Sequence, residues 1–265
     1  MDWQTLPLYF DRTLGTFFGI PIYGYGVMVL MGLLALVAYS RLALPQSSAR
    51  RVSELLPLLV LGTLVGARLG YALWYDPALF TNPWQFVSPF TTTGEYVGLR
   101  GLSFHGGVVG FVATVWLYAR WYQQNFWSLV DTLAVLTPVF LFFGRLGNYW
   151  NGELYGRITT MPWGQYFVPG DALRHPSALY EAAGEGILLG AIMYFFSRKY
   201  QQISGLVGAV FLMSYGAIRF ALEYFRQPDP QLGLLALQLS MGQWLSVFLC
   251  TIGIVVYTIR VRIKS

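Results

Sequence analysis

Gly144-Arg145-Leu146-Gly147-Asn148-Tyr149-Trp150-Asn151-Gly152-Glu153-Leu154-Tyr155-Gly156 closes an apolar run that extends from Leu133 to Phe143. The run is hydrophobic enough to lie in lipid, yet it ends on a guanidinium, two amides and a carboxylate. An arginine at mid-bilayer costs roughly 2.5–3.5 kcal/mol on insertion scales. A chain that keeps such groups, with glycines holding space open around them, is expected to bind a polar ligand inside the membrane.

Working outward, the whole chain fits that setting. Of its 265 residues 55% are hydrophobic and only 11% charged, whereas a soluble domain carries about 25% charged residues. Each membrane span needs about 20 apolar residues. Segments 17–40, 53–75, 101–121, 128–147, 176–197, 203–223 and 242–260 qualify, which predicts an all-α integral membrane protein of about seven transmembrane helices in one polytopic domain, 1–265. The first segment reads as a span and not as a cleavable leader, because no basic stretch precedes it and it is too long for a leader's apolar core.

Arg41, Arg50, Arg51, Arg120, Arg198, Lys199, Arg260, Arg262 and Lys264 fall on one side of this arrangement. The positive-inside rule makes that side cytoplasmic. The other side holds Arg12, Arg100, Arg157, Arg174 and Arg226 together with Asp2, Asp11, Asp76, Glu95, Asp171 and Asp229. The N-terminus is therefore expected outside and the C-terminus inside, and the basic balance reports topology, with no nucleic-acid partner. Outer connections 76–100, 148–176 and 224–241 are rich in Pro, Gly and aromatics and are expected to hold small structured elements. Trp74, Trp84, Trp150, Trp163 and Trp244 cluster near the outer boundary as an interfacial belt. Loops on a rigid scaffold carry function, so the outer face is the expected working face.

Arg68, Arg145 and Arg219 lie within or at the edge of apolar segments, and all basic residues except Lys199 and Lys264 are arginine. Arginine stays charged at low dielectric and presents a planar fork that matches phosphate oxygens. Each intramembrane arginine could equally pair with a carboxylate, an alternative that weighs most for Arg68. Arg219, Glu223 and Arg226 share one helix face by their i, i+4, i+7 spacing. Two arginines around one glutamate leave surplus positive charge for an anionic ligand. His105, in Ser103-Phe104-His105-Gly106-Gly107, reads either as a helix-packing residue or as a proton-exchanging group, and the glycines after it admit close approach by another chain or a lipid. His175 before Pro176 reads as a loop-to-helix junction. Glu181 and Glu185 share a face and are expected to pair with nearby arginines. Cys250, the only cysteine, reads as an inert thiol between apolar neighbours. HExxH, Walker and GxSxG patterns are absent from the sequence, and Asp131 is the only aspartate within a span.

The stretch 144–156 resembles the signature of the bacterial phosphatidylglycerol–prolipoprotein diacylglyceryl transferases. The resemblance continues through Tyr25-Gly26, Gly66-Ala67-Arg68-Leu69-Gly70-Tyr71, Phe104-His105-Gly106-Gly107, Arg174-His175-Pro176-Ser177 with Tyr180-Glu181, residues 219–229, and Ser240-Met241-Gly242-Gln243. Gly24 stands where many members carry an aromatic. The resemblance implies transfer of the diacylglyceryl group of phosphatidylglycerol to the lipobox cysteine thiol of a prolipoprotein signal peptide. A thioether forms and glycerol phosphate leaves, at the outer leaflet of the inner membrane, without metal or nucleotide cofactor.

On that basis Arg145 and Arg219 are assigned to the lipid headgroup as catalytic and binding groups, with Arg226, Asn148 and Asn151 as further phosphatidylglycerol ligands. His105 is the candidate base for the thiol and Tyr25 a positioning or proton-sharing group. Glu153 and Glu223 are expected to orient the arginines, and Gly156 and Arg68 to serve structure. The partners expected are the lipid, the signal peptide and the bilayer, and the enzyme is expected to act as a monomer. A lipid transporter would also use intramembrane arginines, but it would show repeated halves. A purely structural membrane protein would leave the arginines beside paired asparagines unexplained.

Overall fold

The computed structural model describes residues 2–90, 93, 94, 96, 98, 101–199, 203–228 and 233–264. Glu95, Arg100 and Asp229, counted above on the outer side, lie outside the described residues. The chain is mostly helical. A 3-10 turn, Trp3–Tyr9, precedes strands β1 (Thr13–Phe17) and β2 (Ile20–Tyr23), followed by α1 (Gly24–Ala43) and α2 (Gln46–Trp74). A second 3-10 turn, Pro77–Thr81, leads to α3 (Pro83–Val87), α4 (Phe104–Trp121) and α5 (Phe126–Trp150). Next come α6 (Ser177–Glu181), a π-helical stretch (Ala182–Leu188), α7 (Leu189–Lys199), α8 (Leu206–Leu222) and α9 (Met241–Lys264).

Among the described residues five helices are long and apolar enough to cross a membrane: Gly24–Ala43, Gln46–Trp74, Phe126–Trp150, Ser177–Lys199 and Met241–Ile263. Helices also occupy the other two expected segments, but α4 has 18 residues and α8 has 17, short of the usual span of about 20.

The all-α expectation needs one correction. Residues 17–23, read as the start of the first span, belong to an antiparallel hairpin in which Phe17 pairs with Ile20 and Thr13 with Tyr23. Phe18 and Gly19 both have positive φ, at 49° and 78°, as two-residue hairpin turns require. Pro21 adds a block to helix, since it has no N–H to give. Helix begins only at Gly24.

The chain forms two compact units, Leu44–Leu129 and Met1–Ala43 with Val130–Ser265. In the first, α2 packs on α4 through glycine. Gly62, Gly66 and Gly70 share one face of α2 by their four-residue spacing. A Cβ on Gly66 would stand 2.7 Å from the Gly110 Cα, and one on Gly106 would stand 2.9 Å from the Gly70 Cα. Small residues let two backbones approach closely where lipid supplies no hydrophobic drive. The chain that approaches Gly106 is therefore α2. Gly66→Leu is expected to destabilise this unit by about 1–3 kcal/mol or more through overpacking, read as a lower melting temperature in detergent.

In the second unit Ala134, Val135, Leu189, Met193, Val207 and Val210 form a buried cluster joining α5, α7 and α8. Asp131 caps α8 from α5: Gly205 N donates to its Oδ2 at 2.6 Å and Gly208 N to its Oδ1 at 2.8 Å. A carboxylate at a helix N-terminus satisfies orphan N–H groups and the positive dipole end, which accounts for the one aspartate in a span. Cys250 is half-buried, and its Sγ donates to Met213 O at 3.4 Å.

Candidate active site

Arg145, five residues before the end of α5, meets two carboxylates from the α6–π segment. Its Nε and Nη2 lie 2.9 and 2.8 Å from Glu185 Oε2, and its Nη1 lies 2.8 Å from Glu181 Oε2. Arg219 on α8 reaches Glu181 Oε1 through Nη1 at 2.8 Å, Glu185 Oε1 through Nε at 3.8 Å and Glu223 Oε2 through Nη2 at 2.5 Å. Arg226 Nη1 adds a third guanidinium to Glu181 Oε1 at 3.2 Å. The glutamate side chains are 1%, 0% and 7% exposed, in the order 181, 185 and 223, so water screens them little. Several of these contacts are close in distance without an in-line N–H: Glu181 Oε2, Glu185 Oε1 and Glu223 Oε2 accept no hydrogen bond of good geometry from the described residues.

The expected surplus of positive charge is therefore not what this cluster contains. Arg219, Glu223 and Arg226 do share a face, but Glu181 and Glu185 enter from another helix and bring the balance to three arginines and three glutamates. The reason lies in local backbone. Gly184 and Gly186 lie in the π-helical stretch, where a Cβ on Gly186 would stand 2.6 Å from the Phe142 Cβ. The widened turns of such stretches occur mostly at functional sites. Here the stretch follows directly on Glu181 and contains Glu185, both turned to the same guanidinium groups. Tyr215, one turn before Arg219, lies within the field of Arg145, Arg219, Glu181 and Glu185. It was not singled out from the sequence, although its four-residue spacing to Arg219 and Glu223 was a usable signal.

A cavity of about 570 Å³ opens beside the cluster, with Arg219, Arg226, Glu223, Glu153, Tyr155 and Ser240 in its wall. That volume is ordinary for a small-molecule site. Arg226 contacts one carboxylate among the described residues, fewer than Arg145 or Arg219, and is the guanidinium most available to a ligand in the cavity.

The other expected residues divide. Tyr25 lies in the field of Glu153 and Arg145, and its ring edge is 3.0 Å from where a Cβ on Gly147 would be. Asn148 is buried and its Nδ2 donates to Glu153 Oε1 at 2.9 Å. Glu153 thus holds an asparagine and pairs with no arginine among the described residues. The positive φ of Gly152 and Leu154, 62° and 58°, turns the chain so that Glu153 returns over the helix end. Asn151 lines a separate recess of about 200 Å³ with Arg12, Phe10 and Trp150. His105 is exposed on the first turn of α4, in the other unit. Arg68 donates through Nε, Nη2 and Nη1 to the carbonyls of Phe86, Gln85 and Gly101 at 2.8, 2.7 and 3.1 Å. It ties a loop to α2, a structural role reached through carbonyls. At Gly24 the Trp150 indole fills the space a side chain would need.

Gly156 locks the loop that follows α5. Its N–H donates to His175 O at 2.9 Å, the next N–H, of Arg157, donates to Phe225 O at 2.9 Å, and Arg157 Nε donates to Arg226 O at 3.0 Å. Gly156 therefore sits between two backbone strands, one of which leads to Arg226. Nearby, His175 Nδ1 and the Tyr180 hydroxyl are 3.1 Å apart, and burial lowers the His175 pKa. Asp171 is lowered by its hydrogen bonds from Arg174.

Residues 13–259 match the family model described as prolipoprotein diacylglyceryl transferase. The chain belongs to this family. Proteins named phosphatidylglycerol–prolipoprotein diacylglyceryl transferase are similar along most of its length. The one from Campylobacter hominis is 38% identical over 262 residues, covering 96% of this chain and 92% of its own. That from Cupriavidus pinatubonensis is 42% identical over 253 residues, covering 91% and 88%, and that from Idiomarina loihiensis is 44% identical over 223 residues, covering 83% and 79%. The family match spans both units and every arginine and glutamate of the cluster.

Proposed function

We propose that this diacylglyceryl transferase family member moves the diacylglyceryl group of phosphatidylglycerol onto the lipobox cysteine of a prolipoprotein, the first step of lipoprotein maturation. Sulfur attacks the glycerol carbon that bears the phosphate. A carbon–sulfur bond forms, the carbon–oxygen bond breaks, and glycerol phosphate leaves with the bonding electron pair. The observation that carries this reading is the buried arginine–glutamate cluster beside the 570 Å³ cavity. Arg219 and Arg226 in the cavity wall take the phosphate, and their glutamates fix the direction of each fork. Electrostatic stabilisation of a leaving group is largest where water is scarce. Arg145 acts from behind, holding Glu181 and Glu185. Asn148 and Asn151 remain proposed lipid ligands, the first needing its bond to Glu153 to open.

A free thiol has a pKa near 8.5, so little thiolate exists at neutral pH. His105 is the proposed base and Tyr25 the positioning group. The protein works as a monomer in one polytopic domain of the bacterial inner membrane. Helices α4 and α8 join the five longer ones to make seven spans, with the N-terminus outside, the C-terminus in the cytoplasm and the cavity towards the outer leaflet.

The test is purified protein mixed with phosphatidylglycerol and a lipobox peptide, read by mass spectrometry. A diacylglyceryl mass gain on the cysteine is the expected result, and lipid movement without peptide modification would overturn it. His105→Gln is expected to lower turnover by about 100-fold or more, the usual share of a general base. Near-normal turnover in that variant would remove histidine from the role.

A further inference from the structure

Ser240-Met241-Gly242-Gln243 starts α9 with a reciprocal cap. Gln243 N donates to Ser240 Oγ at 3.2 Å, and Ser240 N donates to Gln243 Oε1 at 2.9 Å. Serine and glutamine three residues apart form the capping box, which satisfies two orphan donors of the first turn. A hydroxyl has one proton besides its lone pairs, and the cap does not use it. Ser240 donates that proton to Glu223 Oε1 at 2.9 Å, while Glu223 Oε2 faces Arg219 Nη2 at 2.5 Å. Gly242 leaves room for this: a Cβ there would stand 2.7 Å from the Glu223 carboxylate carbon. Ser240 and Gln243 are each 3% exposed and Glu223 is 6% exposed, so water does not compete for these bonds.

We infer that Ser240 is a positioning residue for Arg219, acting through Glu223 by the hydroxyl proton that helix capping leaves over. Gln243 directs that proton, because its N–H occupies the side of Oγ turned to the helix. The choice of glutamine supports this reading. Glutamate serves the same cap equally well, and glutamine leaves Gln243 Nε2 without a partner among the described residues, which is unfavourable for a buried donor. A glutamate at 243 would instead set another negative charge beside the Ser240–Glu223 pair. The inference rests on the transferase reading, in which Arg219 meets the phosphate.

Capping and positioning separate by substitution. Ser240→Asp keeps a good N-cap but has no proton to give and places a carboxylate against Glu223. Ser240→Thr keeps both properties, and Ser240→Ala loses both. Thioether formation is measured for each across pH, beside the melting temperature. Loss of a hydrogen bond to a charged group predicts that Ser240→Ala and Ser240→Asp lower kcat/KM by about tenfold or more, with Ser240→Thr restoring most of it. Ser240→Asp is expected to regain activity, relative to wild type, as pH falls and the facing carboxylates share a proton. Wild-type kcat/KM in Ser240→Asp at neutral pH, or a pH profile in that variant parallel to wild type, would overturn the inference.

If wild-type protein formed no thioether, the transferase reading would fail by itself. The link to Glu223 is judged separately by the double variant Ser240→Ala with Glu223→Gln. Melting-temperature losses smaller than the sum of the single losses support the link, and additive losses overturn it.

Discussion

Arg145→Ala is expected to abolish thioether formation and also to destabilise the protein by about 3–5 kcal/mol, the cost of removing one partner from a buried ion pair. Arg145 takes Glu185 with two nitrogens and Glu181 with the third. Alanine leaves both carboxylates to the remaining arginines, and neither Arg219 nor Arg226 can cover the geometry. Arg145→Lys is expected to fail nearly as badly, because a single ammonium lacks the planar fork. Stability and chemistry are separated by a compensated variant. Arg145→Met with Glu185→Gln removes one charge of each sign and is expected to melt near wild type while remaining inactive. Recovery of turnover in that double variant would limit Arg145 to a structural role. The readouts are thermal melting in detergent and the mass gain on a lipobox peptide.

Gly156→Ala is expected to disable the protein from outside the cluster. A Cβ there would lie 2.5 Å from Phe225 O, 2.6 Å from His175 O and 2.7 Å from the His175 Cβ. Two of the three obstacles are backbone atoms, which cannot rotate away as a long side chain can. Overpacking of this kind costs about 1–3 kcal/mol, occasionally more. Here the displaced strand is the one that delivers Arg226 to Glu181. Activity is therefore expected to fall further than the melting temperature suggests, with a raised KM for lipid. A Gly156→Ala protein with normal KM would show that the strand pairing does not set the position of Arg226.

Much of this was legible in the chain. The apolar segments predict the helices, because span length and hydropathy are local properties. The stretch around Arg145 marks the site because polar groups in an apolar run are costly. The Arg219–Glu223–Arg226 face follows from helical periodicity alone. What was not legible depends on distant partners. The charge balance needs Glu181 and Glu185 to arrive from another helix, which no spacing rule within α8 can reveal. The bond between Asn148 and Glu153 depends on positive φ at Gly152 and Leu154, and leucine gives no hint of that. Phe18-Gly19 lies in an apolar stretch, so its turn was hidden by the hydropathy that flagged the first span. Arg68 reaches three carbonyls, contacts that depend on a loop folding back over a helix and that no spacing along α2 can reveal.

The matched charges of the cluster also bear on how the protein is made. Translation delivers Arg145 first, then Glu181 and Glu185 about forty residues later, then Arg219, Glu223 and Arg226. A nascent chain halted near residue 170 would hold Arg145 without either of its glutamates, at roughly 2.5–3.5 kcal/mol by insertion scales. One halted near 205 would hold two anions against it. The balance of these six residues closes finally at Arg226, so products cut near 170 or near 205 carry a net charge in the cluster that membrane quality-control proteases can recognise.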